Sequence, residues 1–172
     1  RNTVNGFGAL GADTLGSRAV AIGFGALDAQ NFTTATDNYN VAVGYDAGGE
    51  VTTGTNNTLV GGLAGDALTT ATDNVAVGKS ALSADTKGTF TVAVGANALA
   101  SQNQTTATTT YNVAIGLNAG TNVTTGVQNT IVGGAAGDAL TDADFNTAVG
   151  VNSLSADTLG SRSTAVGWGA LR

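Results

Sequence analysis

The chain has 172 residues and a net charge of −6, with 10% charged side chains against roughly a quarter in an average domain. It contains no Pro, Cys, His or Met, which excludes a thiolate nucleophile, a zinc finger, an iron–sulfur cluster, a disulfide scaffold and a His-based proton relay. Its six bases (Arg1, Arg18, Lys79, Lys87, Arg162, Arg172) are scattered, which argues against a nucleic-acid or anionic-membrane partner. There is no 18-residue apolar stretch, so membrane insertion is not expected.

In chain order, a nine-residue unit recurs ten times: NTVNGFGAL, AVAIGFGAL, NVAVGYDAG, NTLVGGLAG, NVAVGKSAL, TVAVGANAL, NVAIGLNAG, NTIVGGAAG, NTAVGVNSL and STAVGWGAL. Every unit keeps one glycine: Gly6, Gly23, Gly44, Gly61, Gly78, Gly95, Gly116, Gly133, Gly150 and Gly167. Their spacings run 17, 21, 17, 17, 17, 21, 17, 17, 17, an order that itself repeats every 72 residues. The expected architecture is therefore all-β, a single repetitive solenoid domain over 1–172 with one coil per unit. At about 4.8 Å per coil, ten coils make a rod roughly 45–50 Å long. A helical reading fails, because strand-sized alternation is punctuated by glycine in every turn.

Within each unit the residue before the glycine is Ile22, Val43, Val60, Val77, Val94, Ile115, Val132, Val149 or Val166, with Asn5 the exception. These branched side chains favour a strand and are assigned as the structural core. The residue three before the glycine is Val or Thr and shares their face. The column between them points the other way and is also apolar, so the strand needs cover on both faces. One face closes the coil, and the other needs a further partner, for which another chain is the natural candidate. A lone chain is expected to expose the stripe Val4, Ala21, Ala42, Leu59, Ala76, Ala93. Which face looks toward a shared axis stays open at this level.

After the glycine, an outward pair followed by Ala (Ser153 once) and Leu or Gly reads as a second short strand. Glycine belongs where backbone turns sharply or another backbone comes close. Asn2, Asn40, Asn57, Asn74, Asn112, Asn129 and Asn146 recur four residues before it, as an Asx-type turn or a ladder of stacked amides. The four-residue insertions lie in DAQNFTTATDNY and ASQNQTTATTTY and are expected to project as loops. The chain opens at Arg1, directly before a repeat, and reads as a piece of something longer.

The [NS]-[VT]-A-[VI]-G motif followed by Ala, in register from Asn2 to Leu171, resembles the head repeats of YadA-like trimeric autotransporter adhesins. It is also similar to NTAVG-x-x-[AS]-L repeats of bacteriophage tail fibres. The resemblance implies a left-handed parallel β-roll, homotrimeric about a common axis, within a surface fibre that attaches to a host cell. Adjoining fibre domains and a host receptor or glycan are the partners it implies, on a virion or a cell surface. The long Thr/Asn/Gly-rich turns and the block duplication favour a phage or viral fibre over a bacterial adhesin head. A monomeric ice- or glycan-binding solenoid is the remaining alternative.

No catalytic, cofactor or metal residues are assigned. Gly6-Phe7-Gly8-Ala9-Leu10-Gly11 matches GxGxxG, but the repeat itself generates it and no helix follows. Ser80 and Ser153 lack a His partner. Asp13, Asp85 and Asp157, like Asp66 and Asp138, recur in turns, where a carboxylate bonds nearby backbone more readily than it holds Ca²⁺. The acids Asp142 and Asp144 read as loop solvation. Phe7, Phe24, Tyr45 and Trp168, in the variable column after the glycine, are candidate surface contacts, and Phe32, Tyr39 and Tyr111 invite the same reading. Thr33-Thr34 and Thr105-Thr106 sit in insertions rather than once per coil, which does not form the flat threonine array that ice binding needs.

Overall fold

The computed structural model describes residues 1–172 as a parallel β-solenoid of about ten coils with no helix. Ten three-residue strands form one continuous sheet: Thr3–Asn5, Val20–Ile22, Val41–Val43, Thr58–Val60, Val75–Val77, Val92–Val94, Val113–Ile115, Thr130–Val132, Thr147–Val149 and Thr164–Val166. Each residue pairs with its equivalent in the next coil, Val20 with Val41, Val41 with Thr58, Thr58 with Val75. Identical units stacked in register thus satisfy one another's backbone groups, as a solenoid requires.

The interior is lined by the middle strand column, which corrects the assignment of the core. Ala21, Ala42, Leu59, Ala76, Ala93, Ala114, Ile131, Ala148 and Ala165 are buried, and only Val4, on the first coil, is exposed. The column of Ile22, Val43, Val60, Val77, Val94, Ile115, Val132, Val149 and Val166 faces outward instead. Six of these nine are half-buried by their neighbours in the ladder, whereas Ile22, Ile115 and Val166 are exposed. The reason is size. The coil is slim, and its interior has room for Ala in that column together with the buried Ala and Leu of the segment after the glycine.

Where the middle column carries a large residue, the neighbouring positions shrink. A methyl group on Gly65 would meet Leu59 Cδ2 and Leu68 Cδ1, each at 2.8 Å. One on Gly120 would meet Ile131 Cδ1 at 2.9 Å and Leu99 Cδ2 at 3.0 Å. Where the column carries Ala76 or Ala93, the positions equivalent to Gly65 are Leu82 and Leu99. Interior volume is held nearly constant by trading methyl groups between two columns, as close packing demands.

The segment after each glycine is a run of turns, which corrects the second strand expected there. Alternate residues are left-handed: Ser80 (φ 54°) and Leu82 (φ 56°) in one coil, Leu63 (φ 59°) and Gly65 (φ 56°) in another. A left-handed non-glycine residue costs about 1–2 kcal/mol. Hydrogen bonds to both neighbouring coils offset that cost: Ser80 N–H donates to Gly62 O (3.0 Å) and Leu82 N–H to Ala98 O (3.0 Å).

The asparagines form the ladder rather than isolated turns. Asn40 Oδ1 accepts the Asn57 N–H (2.9 Å), Asn57 Oδ1 that of Asn74 (3.1 Å) and Asn74 Oδ1 that of Thr91 (2.9 Å). Each amide also donates to a carbonyl, Asn57 Nδ2 to Ala71 O and Asn74 Nδ2 to Gly88 O, both at 2.9 Å. Asn112 and Asn129 repeat the pattern, and Asn146 repeats its acceptor half, accepting the Ser163 N–H, while its Nδ2 has no partner. These side chains are buried, so their value lies in leaving few interior polar groups without a partner.

The insertions are only partly projecting loops. Thr36–Asp37 pairs with Gly16–Ser17, and Thr108–Thr109 with Gly88–Thr89. Gln30, Phe32 and Asn38 are buried in the first insertion, and Gln102, Gln104 and Thr110 in the second. Gln102 Nε2 donates to Asp85 Oδ2 (2.6 Å), while its Oε1 accepts from Asn112 Nδ2 (2.8 Å). The added residues bring polar groups that pair inside the coil, while the tips, 33–35 and 105–107, are exposed together with Tyr39 and Tyr111.

Candidate interaction surface

Most exposed large apolar side chains are gathered in a few columns; Val4, Leu15, Leu159 and Leu171 lie outside them. Ile22, Ile115 and Val166 belong to the outward strand column. Phe7, Phe24, Tyr45, Leu117, Val151 and Trp168 stand just after the glycines, on one flank. Tyr39, Phe90, Tyr111 and Phe145 stand five residues before the glycines, on the other. Together with the half-buried Val columns they make an outward face that is apolar along the strands and interrupted on its flanks by Arg18, Asn56, Asp73, Lys79, Gln128 and Arg162.

The second flank is invisible as a column unless the insertions are aligned out, and then its members fall in line: Arg18, Tyr39, Asn56, Asp73, Phe90, Tyr111, Gln128, Phe145 and Arg162. All nine are left-handed, with φ between 49° and 66°. Neighbours in this column touch. The Arg18 guanidinium lies 5.4 Å from the Tyr39 ring centroid and Arg162 lies 5.3 Å from that of Phe145, both cation–π contacts. Phe90 and Tyr111 are 5.6 Å apart. The Arg18–Asp37 ion pair (3.1 Å) is exposed and contributes little.

On the first flank, three of the four predicted contact residues come together. Phe7 and Phe24 stack at 5.6 Å and Phe24 and Tyr45 at 5.5 Å, with planes within 18° and 10° of parallel. Trp168 stands apart on the last strand-bearing coil. Beside the stack is an open hollow of about 200 Å³ whose lining includes Asp28, Asp46, Glu50 and Asp66. Burial, reinforced by the charges of Asp46 and Glu50, raises the Asp66 pKa above the ordinary carboxylate value. The Asp46 carboxylate, by hydrogen bonding and by its charge, pushes the Tyr45 phenol up.

Several of the other acids serve the backbone. Buried Asp85 accepts from Gly88 N–H (3.1 Å), Gln104 N–H (2.9 Å) and Gln102. Asp13 and Asp157 accept from Gly16 and Gly160 N–H in equivalent turns. Asp144 accepts from Val127 N–H (2.8 Å), and Asp142 accepts from the Thr141 hydroxyl (3.3 Å). Asp66 and Asp138 each keep one buried oxygen without a hydrogen-bond donor. A threonine column does recur in the turns, but its hydroxyls serve the next coil: Thr52 donates to Thr69 O, Thr69 to Thr86 O and Thr141 to Thr158 O.

The fold and surface define a parallel β-solenoid with a polar ladder inside and one long apolar face outside. Compared with models of protein families, with curated proteins and with solved structures, the chain matches none.

Proposed function

We propose that this chain is a segment of a homotrimeric surface fibre, a left-handed β-roll built on 17- and 21-residue coils, which serves host attachment as a stiff spacer or head. The observation that carries the reading is the outward strand face, in which Val and Ile columns run the length of the rod, with Tyr39, Phe90, Tyr111 and Phe145 standing exposed along one flank between polar residues. Such a face needs cover along its whole length. Three identical rods about a common axis cover it everywhere at once, since each coil meets its own equivalent. The resemblance of the [NS]-[VT]-A-[VI]-G repeats to trimeric adhesin heads and phage tail fibres supports the same arrangement, with the virion favoured over a bacterial surface by the block duplication.

The decisive measurement is the solution mass of residues 1–172 by light scattering. A mass near three times 16.7 kDa is expected. A stable 16.7 kDa species overturns the assembly and returns the chain to a single-chain solenoid.

A further inference from the structure

We propose that the Phe7–Phe24–Tyr45 ridge, together with the hollow beside it, binds a glycan that carries amino sugars. The rings of the ridge are exposed by 81%, 52% and 58% and stack in nearly parallel planes with centroids 5.5–5.6 Å apart, so Phe24 lies between the other two and the open surface is the ring edges and the outer faces of the stack. The step from ring to ring is close to the length of one pyranose unit along a chain. The C–H face of a sugar, or an ammonium group, is what an aromatic face attracts.

The hollow names the sugar's chemistry. It shares coils with the ridge, because Asp46 follows Tyr45 directly and Gly25 follows Phe24, and both line it. Asp28, Asp46, Glu50 and Asp66 also line it, no base does, and the chain's ion pair lies elsewhere. Asp66 Oδ1 is buried there with no donor from the protein. Unneutralised acceptors beside open rings complement a ligand with an apolar face and cationic or hydroxyl donors along its edge.

The duplicated block supplies an internal comparison. Seventy-two residues on, Lys79, Ala96 and Leu117 replace the three rings, while Ala100, Asn118 and Asn122 replace Asp28, Asp46 and Glu50, with Asp138 matching Asp66. There the amides close on neighbouring coils, Asn97 Nδ2 to Asn118 Oδ1 (3.1 Å) and Asn122 Nδ2 to Asp138 O (2.8 Å). Rings and three of the four acids are thus present together in one block and absent together in the other, although both blocks build the same coil; Asp138 stays, with its Oδ1 unpartnered like that of Asp66. The fold requires neither set.

This inference goes beyond the fibre reading and does not depend on it. The test is calorimetric titration of the 1–172 protein, in whatever assembly it forms, with β-1,4-linked glucosamine trisaccharide and with its N-acetylated counterpart. The amino form is expected to bind at least about tenfold tighter than the acetylated one. The double variants Phe24→Ala/Tyr45→Ala and Asp46→Asn/Glu50→Gln should each weaken it by about tenfold or more, and Leu117→Ala should leave it unchanged. Absence of binding, or binding that survives either double variant, overturns the proposal. So does a loss of assembled mass in Phe24→Ala/Tyr45→Ala, which would make the ridge inter-chain packing. A monomeric wild type that still binds overturns the fibre reading alone.

Discussion

A methyl group placed on Gly78 would lie 2.6 Å from the carbonyl oxygen of Gly95 in the next coil, and Gly78 itself has φ +133°. The same contact recurs up the rod, so the glycine column is where successive backbones come closest. Replacing Gly78 with Ala should cost roughly 3 kcal/mol or more, from strain plus displacement of the neighbouring strand. Gly62 stands in the next column, with its nearest neighbour at 4.0 Å and no positive φ. Gly62→Ala should be neutral or stabilise by about 0.4–1 kcal/mol. Urea titration of both variants checks the contrast.

The asparagine ladder should be sensitive at its middle rungs. Asn57→Ala strands the buried N–H of Asn74 and the carbonyl of Ala71. At about 1–3 kcal/mol for each unsatisfied group, a loss of roughly 2–6 kcal/mol is expected in the same titration. Asn57→Asp should be worse, because it keeps the acceptor but buries a charge.

Interior volume offers a test by exchange. Leu59→Ala should destabilise by about 2–5 kcal/mol, and Gly65→Leu should clash with Leu59 and Leu68. The double variant Leu59→Ala/Gly65→Leu reproduces the Ala76 and Leu82 pair of the following coil, where Leu82 already has φ 56°, although Leu68 stays where that coil has Asp85. A double-mutant cycle should therefore show favourable coupling of at least about 1 kcal/mol. Additive losses would mean that the two columns do not share the space.

The two faces of one strand separate folding from assembly. Ala76 is fully buried and Val77 half-buried on the outside. Ala76→Asp places an unpaired charge in the interior and should abolish the native circular dichroism spectrum. Val77→Asp should keep that spectrum while lowering the mass seen by light scattering. A Val77→Asp protein of unchanged mass would remove this face from any inter-chain contact.

Acid should stabilise the first block. The Asp66 pKa is raised in the folded chain, so the folded state holds that proton more tightly than the unfolded one. Its contribution is fully present below the ordinary value of 3.8 and is lost as the pH rises through the folded value. Asp66→Asn should raise the thermal midpoint at pH 7 and flatten the acid side of the profile, as followed by calorimetry from pH 3 to 7.

Ten units in register, all with the Gly, nine with Val or Ile before it and seven with the Asn, are enough to read a parallel solenoid from the amino acids alone. Alternation along a three-residue strand also separates two faces. It does not say which face is inside, because Ala-Ala-Leu and Val-Val-Ile stripes are both apolar. Interior volume decides that, and it comes from the turn segment whose alternating left-handed residues send Ala81 and Leu82 into the coil. The second aromatic flank was hidden for a related reason: Tyr39 and Tyr111 sit in insertions, and only coil stacking aligns them with Phe90 and Phe145. The hollow beside Tyr45 likewise needs Asp28, Asp46 and Asp66 from three successive coils, a proximity that spacing along the chain leaves undetermined. By itself, then, the sequence determined the period, the strand, the close-approach glycine and the amide column, since these rest on local chemistry repeated in register. Which side chains share the interior, which meet solvent and which meet each other was decided by tertiary structure, because those depend on volume and distance between coils.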